Sequence, residues 1–261
     1  DMCTSYYSTH MKSGGMNSFS TFLQRCKPSN YYFNYYEVLA NWERCFGLEA
    51  LDISLFARDR FLNGDLLDDF TAKIDRSLVG VLNKSIVIEN ESLRPFGQAL
   101  ARAINISFPV SSQRPEVNDF RVRCKAPVIR RLSGKGQQPG PEARKLIYKS
   151  FIESNERLRQ KFFPDIAVLF PPPTEVAEPD YLIAEDDFET IVDVLEIIRK
   201  YGKGVISNQE YTRVCTAIFS SIDDVMKVGS GTSDVPVEVS TEIGTEVVLS
   251  DKDTILLGKA A

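Results

Sequence analysis

The sequence predicts a helix-rich α/β domain followed by a helical hairpin and a short β or flexible tail. Three observations predict it. Apolar residues recur at helical spacing in several capped stretches. One apolar run, Leu51–Phe56, reads as a buried strand between two helices, which makes a helix–strand–helix unit. Pro171-Pro172-Pro173 and Gly229-Ser230-Gly231 break the pattern. They divide the chain into a main domain over 1–170, a helical extension over 171–228 and a tail over 229–261.

The chain opens on Asp1-Met-Cys-Thr-Ser-Tyr-Tyr7, a helix start in which Asp1 serves as cap or first-turn acid; Gly14-Gly15 stops that helix. There is no initiator methionine, so a strand is expected ahead of residue 1. Residues 16–26 make a short amphipathic helix with Phe19, Phe22, Leu23 and Cys26 on one side. Residues 31–46 make a longer one, with Tyr32, Tyr35, Tyr36, Leu39, Trp42 and Phe46 in a stripe and Gly47 at its end. Such a stripe can bind a sugar or base; it reads here as core. After Leu51–Phe56 and the turn Asn63-Gly64-Asp65 comes a helix over Leu66–Ile74, with Leu66, Leu67, Phe70 and Ile74 predicted inward. Asn90-Glu91-Ser92-Leu93 leads into a helix over 94–104, where Pro95 suits the first turn and Phe96, Leu100 and Ile104 make the apolar face.

Residues 107–127, with Pro109, Pro115 and Pro127, read as an irregular basic surface segment. Pro141 starts a long helix through Phe163, with Leu146, Ile147, Phe151, Leu158 and Phe162 buried. Pro171–Pro173 and the acidic stretch to Asp180 read as linker. Phe188–Tyr201 and Gln209–Met226 form the hairpin, and short alternating runs at 235–239, 246–249 and 254–257 are strands or a loose tail.

Composition limits function. The length of 261 residues suffices for one sizeable core, and the net charge of −5 argues against gripping a nucleic-acid backbone. The five cysteines are widely spaced with no CxxC pair, and His10 is the single histidine, so no metal is expected. The cysteines read as thiols of a reducing, cytoplasmic compartment. No apolar run approaches the length of a membrane span.

The loop Arg130-Arg-Leu-Ser-Gly-Lys-Gly-Gln-Gln-Pro-Gly140 carries the clearest site chemistry. Gly134 and Gly136 let backbone N–H groups approach a phosphate; Lys135 supplies a mobile point charge and Ser133 a hydroxyl. The alternative is a flexible basic linker. Ser5 adds a hydroxyl in a first helical turn, a position equally natural for an ordinary helix-start serine. His10 reads as a partly exposed helix histidine.

Asp1, Ser5, Tyr6 and Tyr7 resemble the Asp-x-x-x-Ser-Tyr-Tyr segment of bacterial sulfotransferase-like proteins that use 3′-phosphoadenylyl sulfate. The resemblance continues through Tyr35, Leu39, Trp42, Phe46 and Gly47, through Gly64, Asp65, Leu66, Asp69 and Phe70, through Asn90–Leu93, and through Phe151-x-x-Ser154-Asn155-x-x-Leu158. It covers roughly residues 1–170. It implies the C-terminal portion of a three-layer P-loop-type domain with a parallel sheet. It further implies that Ser5, beside an arginine upstream of residue 1, holds the donor's 3′-phosphate. Ser133, Gly134, Lys135 and Gly136 then resemble the loop that closes over that phosphate. The implied reaction moves a sulfonyl group to a hydroxyl or amine of an acceptor, a carbohydrate by expectation. No metal and no nucleic acid take part. The family's phosphate-loop lysine and catalytic base fall upstream, so no catalytic residue is assigned and this polypeptide alone is expected to be inactive. Two other readings stand beside it: a protein-interaction scaffold of the same origin, and a nucleotide-sugar-binding protein of another α/β family.

Overall fold

The structure, a computed structural model, describes residues 2–81, 91–111, 113–174 and 184–229, without the side chains of 222–229. Helices account for the regular structure: α1 (Met2–Ser13), α2 (Phe19–Leu23), α3 (Tyr35–Phe46), α4 (Leu66–Ile74), α5 (Pro95–Ser107), α6 (Pro115–Arg131), α7 (Pro141–Phe162), α8 (Glu185–Tyr201) and α9 (Asn208–Gly229). Among the described residues there is no β-strand, only isolated bridges at Leu93–Ser133 and Lys203–Ile206. This overturns the parallel-sheet α/β expectation: the described chain is all-α. Residues 51–57 lie outside any helix, extended at Leu51 and Ala57, with Leu51, Ile53 and Leu55 half-buried and Asp52, Ser54 and Phe56 exposed. No described segment lies alongside to pair with them, and an extended run without a partner is not a strand. The tail runs at 235–239, 246–249 and 254–257, and the linker around 175–183, lie outside the described residues.

Local sequence explains most helix ends. Ser18 accepts from the Thr21 N–H (3.2 Å) to cap α2, and Asp65 accepts from the Leu67 and Asp68 N–H groups (2.9 and 3.0 Å) to cap α4. Proline opens α5, α6 and α7, where its missing N–H costs nothing. Gly47 ends α3 at φ +81°, a conformation that favours glycine.

The core forms around α5. Its Phe96, Leu100 and Ile104 are buried against Tyr7 and Met11 of α1, Val117, Phe120 and Val128 of α6, and Val214 and Ile218 of α9. Ile191, Val194 and Ile198 of α8 join the same core through α6. Each such side chain contributes about 1.5–3 kcal/mol by leaving water.

Four further elements depart from the sequence reading; on α7, Leu146 is 58% exposed, and of the predicted face only Phe151 and Leu158 are buried. Residues 115–131 are one continuous helix, although Pro127 lies within it. The positions Val117, Phe120, Cys124 and Val128 share one buried face, and packing between α5 and α8 outweighs the hydrogen bond that Pro127 cannot donate. The α3 stripe is not core: Trp42 and Phe46 are more than half exposed, because α3 packs mainly on α7 and its flanking turns among the described residues. Likewise Leu66, Phe70 and Ile74 of α4 face outward, and Asp68 and Thr71 are buried instead. Among the described residues no helix is long and apolar enough to cross a membrane.

Candidate functional site: a cavity between the first helix and a glycine–lysine loop

Backbone ties draw three distant segments together. The Ser8 hydroxyl of α1 accepts from the Leu93 N–H at 2.6 Å, and Lys12 Nζ donates to the Glu91 carbonyl. Residues 92–94 therefore lie along α1. The loop after α6 then lies along residues 92–94: the Arg94 N–H donates to Leu132 O (2.7 Å) and the Gly134 N–H to Ser92 O (2.6 Å). Between them opens a cavity of about 410 Å³, lined by Thr4, Ser5, Glu91, Ser92, Gly134, Lys135, Gly136 and Gln138.

Ser5, Gly134, Lys135 and Gly136 thus share one site, although the serine and the lysine stand at opposite ends of the main domain's sequence. Ser133 is not in the lining. Its hydroxyl turns back to donate to Ile129 O at 3.0 Å, satisfying a carbonyl in the last turn of α6. Sequence reading missed Thr4, Glu91, Ser92 and Gln138; residues 91–92 look like a helix preface, and only the bridge to Ser133 turns them into a wall.

The two glycines are required where they stand. Gly134 sits at φ +147°, and a Cβ there would come within 2.9 Å of Arg94 Cγ. A Cβ on Gly136 would come within 2.5 Å of Gln98 Nε2. Gln98 is buried, and its Oε1 accepts from the Gln137 N–H at 3.1 Å, which fixes the loop. Gly136→Ala is expected to displace that amide and to destabilise by about 1–3 kcal/mol, read as a lower denaturant midpoint.

The lining holds one cation, Lys135, and one carboxylate, Glu91. Lys135 and Ser5 are exposed at the cavity, Thr4 is buried, and Lys12 lies beyond Glu91. Burial lowers the Lys12 pKa, and the nearby Glu91 carboxylate offsets part of that. Glu91 itself opposes an anion. A second cavity, about 650 Å³, lies between the 54–73 region and Phe163 and Ile166. Its lining sets Arg60 and Lys73 against Asp59 and Asp69, and Lys73 is already paired with Asp52 at 2.7 Å.

His10 lies elsewhere. It is half-buried against Gly15, 5.6 Å ring to ring from Phe22, and burial followed by Arg25 lowers its pKa. No protein-family model matches the chain, and no curated protein and no solved structure matches it.

Proposed function

We propose that the cavity binds the 3′-phosphate of 3′-phosphoadenylyl sulfate, and that the protein serves sulfonyl transfer to a hydroxyl or amine of a carbohydrate acceptor. One observation carries this reading: the hydroxyl of Ser5 and the Gly134-Lys135-Gly136 loop, which resemble the two halves of that family's phosphate clamp, line the same cavity. The chemistry fits. Lys135 offers a point charge, Ser5 a hydroxyl donor, and glycines allow close backbone approach. In the reaction the acceptor oxygen bonds to sulfur as the bond from sulfur to the bridging phosphate oxygen breaks, and the acceptor proton passes to a base. None of the lining residues is assigned that role. A cytoplasmic setting suits this donor and the free thiols.

Thermal unfolding with added adenosine 3′,5′-bisphosphate tests the reading. The bisphosphate is expected to raise the melting temperature more than a nucleotide-sugar does. Lys135→Ala is expected to weaken it about 10–100-fold, the worth of one charge-assisted hydrogen bond. Glu91→Gln removes a like charge and is expected to tighten it by about 2–5-fold. Protection that Lys135→Ala leaves intact sinks the assignment; stronger protection by a nucleotide-sugar favours another donor.

A second reading, a protein-interaction scaffold, draws on a separate observation. Trp42, Phe46, Phe70 and Ile74 expose 53, 63, 57 and 65% of their surface. Protection by neither nucleotide favours it.

A further inference from the structure

The second cavity, about 650 Å³, has a lining of a different kind. Two of its charges hold its walls. Lys73 of α4 donates to Asp52 Oδ1 at 2.7 Å and to the Ser54 hydroxyl, which ties α4 to the run after residue 51. Asp69 Oδ1 accepts from the Leu62 N–H at 3.0 Å, which ties α4 to the turns over 58–64. Phe163 and Ile166, in the turn after α7, make the remaining wall, and Arg159 Nη1 fixes that turn by donating to Ile166 O at 3.0 Å. Two other lining charges take no part in this. The side chains of Asp59 and Arg60 are exposed, neighbours in a single helical turn, and pair neither with each other nor with any other described residue. Leu55, Phe163 and Ile166, each half-buried, give the same cavity apolar surface.

We propose that this cavity is a binding site for a free α-amino acid with an apolar side chain. At neutral pH such a molecule carries a carboxylate, an ammonium and an apolar group on a single carbon, and the lining offers a partner to each. The Arg60 guanidinium is planar and takes a carboxylate through two parallel N–H donors. The Asp59 carboxylate accepts from the ammonium. Leu55, Phe163 and Ile166 take the side chain out of water. A plain anion at Arg60 meets repulsion from Asp59 and Asp69, and a plain cation at Asp59 meets repulsion from Arg60 and Lys73. A ligand with both charges turns each repulsion into an attraction. The volume lies in the ordinary range of small-molecule sites. The proposal does not depend on what the first cavity binds, because the two cavities share no lining residue.

The test is calorimetric titration of the full chain with leucine, with 4-methylpentanoate, which is the same skeleton without the amine, and with 3-methylbutylamine, which lacks the carboxylate. Leucine is expected to bind about 5–10-fold more tightly than either, the worth of one charge pair near the surface. Glycine is expected to bind more weakly than leucine, since it leaves the apolar surface uncovered. Arg60→Gln is expected to cancel leucine's advantage over 3-methylbutylamine and to keep its advantage over 4-methylpentanoate. Asp59→Asn is expected to do the reverse. Both side chains are exposed, so neither change touches the core. The proposal is overturned by any of four results: no saturable binding of leucine, equal binding of the three compounds to the wild-type chain, glycine binding as tightly as leucine, or selectivity that both variants leave unchanged.

Discussion

Phe22→Ala is expected to cost about 3–5 kcal/mol of folding stability, the range for deleting a fully buried aromatic ring. Phe22 is completely buried. Its ring centre lies 5.7 Å from Tyr6, 5.2 Å from Tyr7, 5.6 Å from His10 and 6.3 Å from Phe33. Those neighbours come from α1 and the turn before α3, so no single element can collapse into the void. Phe22→Leu keeps most of the volume and is expected to cost about 1 kcal/mol. Equilibrium unfolding in denaturant, followed by circular dichroism, measures both. Because the cluster seats α1, and α1 carries Thr4 and Ser5, Phe22→Ala is also expected to reduce protection by adenosine 3′,5′-bisphosphate in molecules that remain folded.

Lys125→Met is expected to stabilise the protein at pH 7 and to lose that advantage by pH 10.5. Lys125 is 2% exposed on α6, and its Nζ donates to Lys12 O at 2.6 Å, at the C-terminal end of α1. Burial, then neighbouring Arg121, pushes its pKa down from 10.5 to about 8. Arg121 is buried as well, and its Nε and Nη1 meet no hydrogen-bond partner among the described residues. The sign follows from proton counts. Below about pH 8 both folded and unfolded chains hold the Lys125 proton, and the burial penalty applies in full. Between about 8 and 10.5 the unfolded chain holds it and the folded chain does not, so stability rises with pH across that window. The rise amounts to about 3 kcal/mol. Replacing the lysine also removes its hydrogen bond, worth about 1 kcal/mol, so the expected net gain at pH 7 is about 2 kcal/mol. Wild type alone cannot report this. Tyr7 and Cys124 are both pushed up to about 12 by burial, and they lower stability as pH rises past their ordinary values of 10 and 9. The difference between wild type and Lys125→Met cancels those contributions. A difference that does not change between pH 7 and 10.5 refutes the expectation.

Sequence alone determined the local features of this protein. Prolines marked helix starts, as at Pro95 and Pro141, because that signal acts within a turn of the chain. A three-residue to four-residue spacing found the buried face of α5, since both faces of that helix see one core. The glycine–lysine loop was legible as a close-approach segment because glycine is required locally. Tertiary structure decided which faces are covered. The stripes of α3 and α4 have perfectly regular spacing and yet face outward, since periodicity shows that a face is apolar and not what lies against it. In α6, Pro127 and the basic residues hide a helix that its neighbours enforce. Leu51–Phe56 has strand composition, but a strand exists only with a partner's backbone beside it, and none of the described residues supplies one. The cavity was the least legible of all. Ser5 and Lys135 line one cavity because Ser8 binds the Leu93 backbone and Leu93 pairs with Ser133, two long-range hydrogen-bonded contacts that no local pattern encodes.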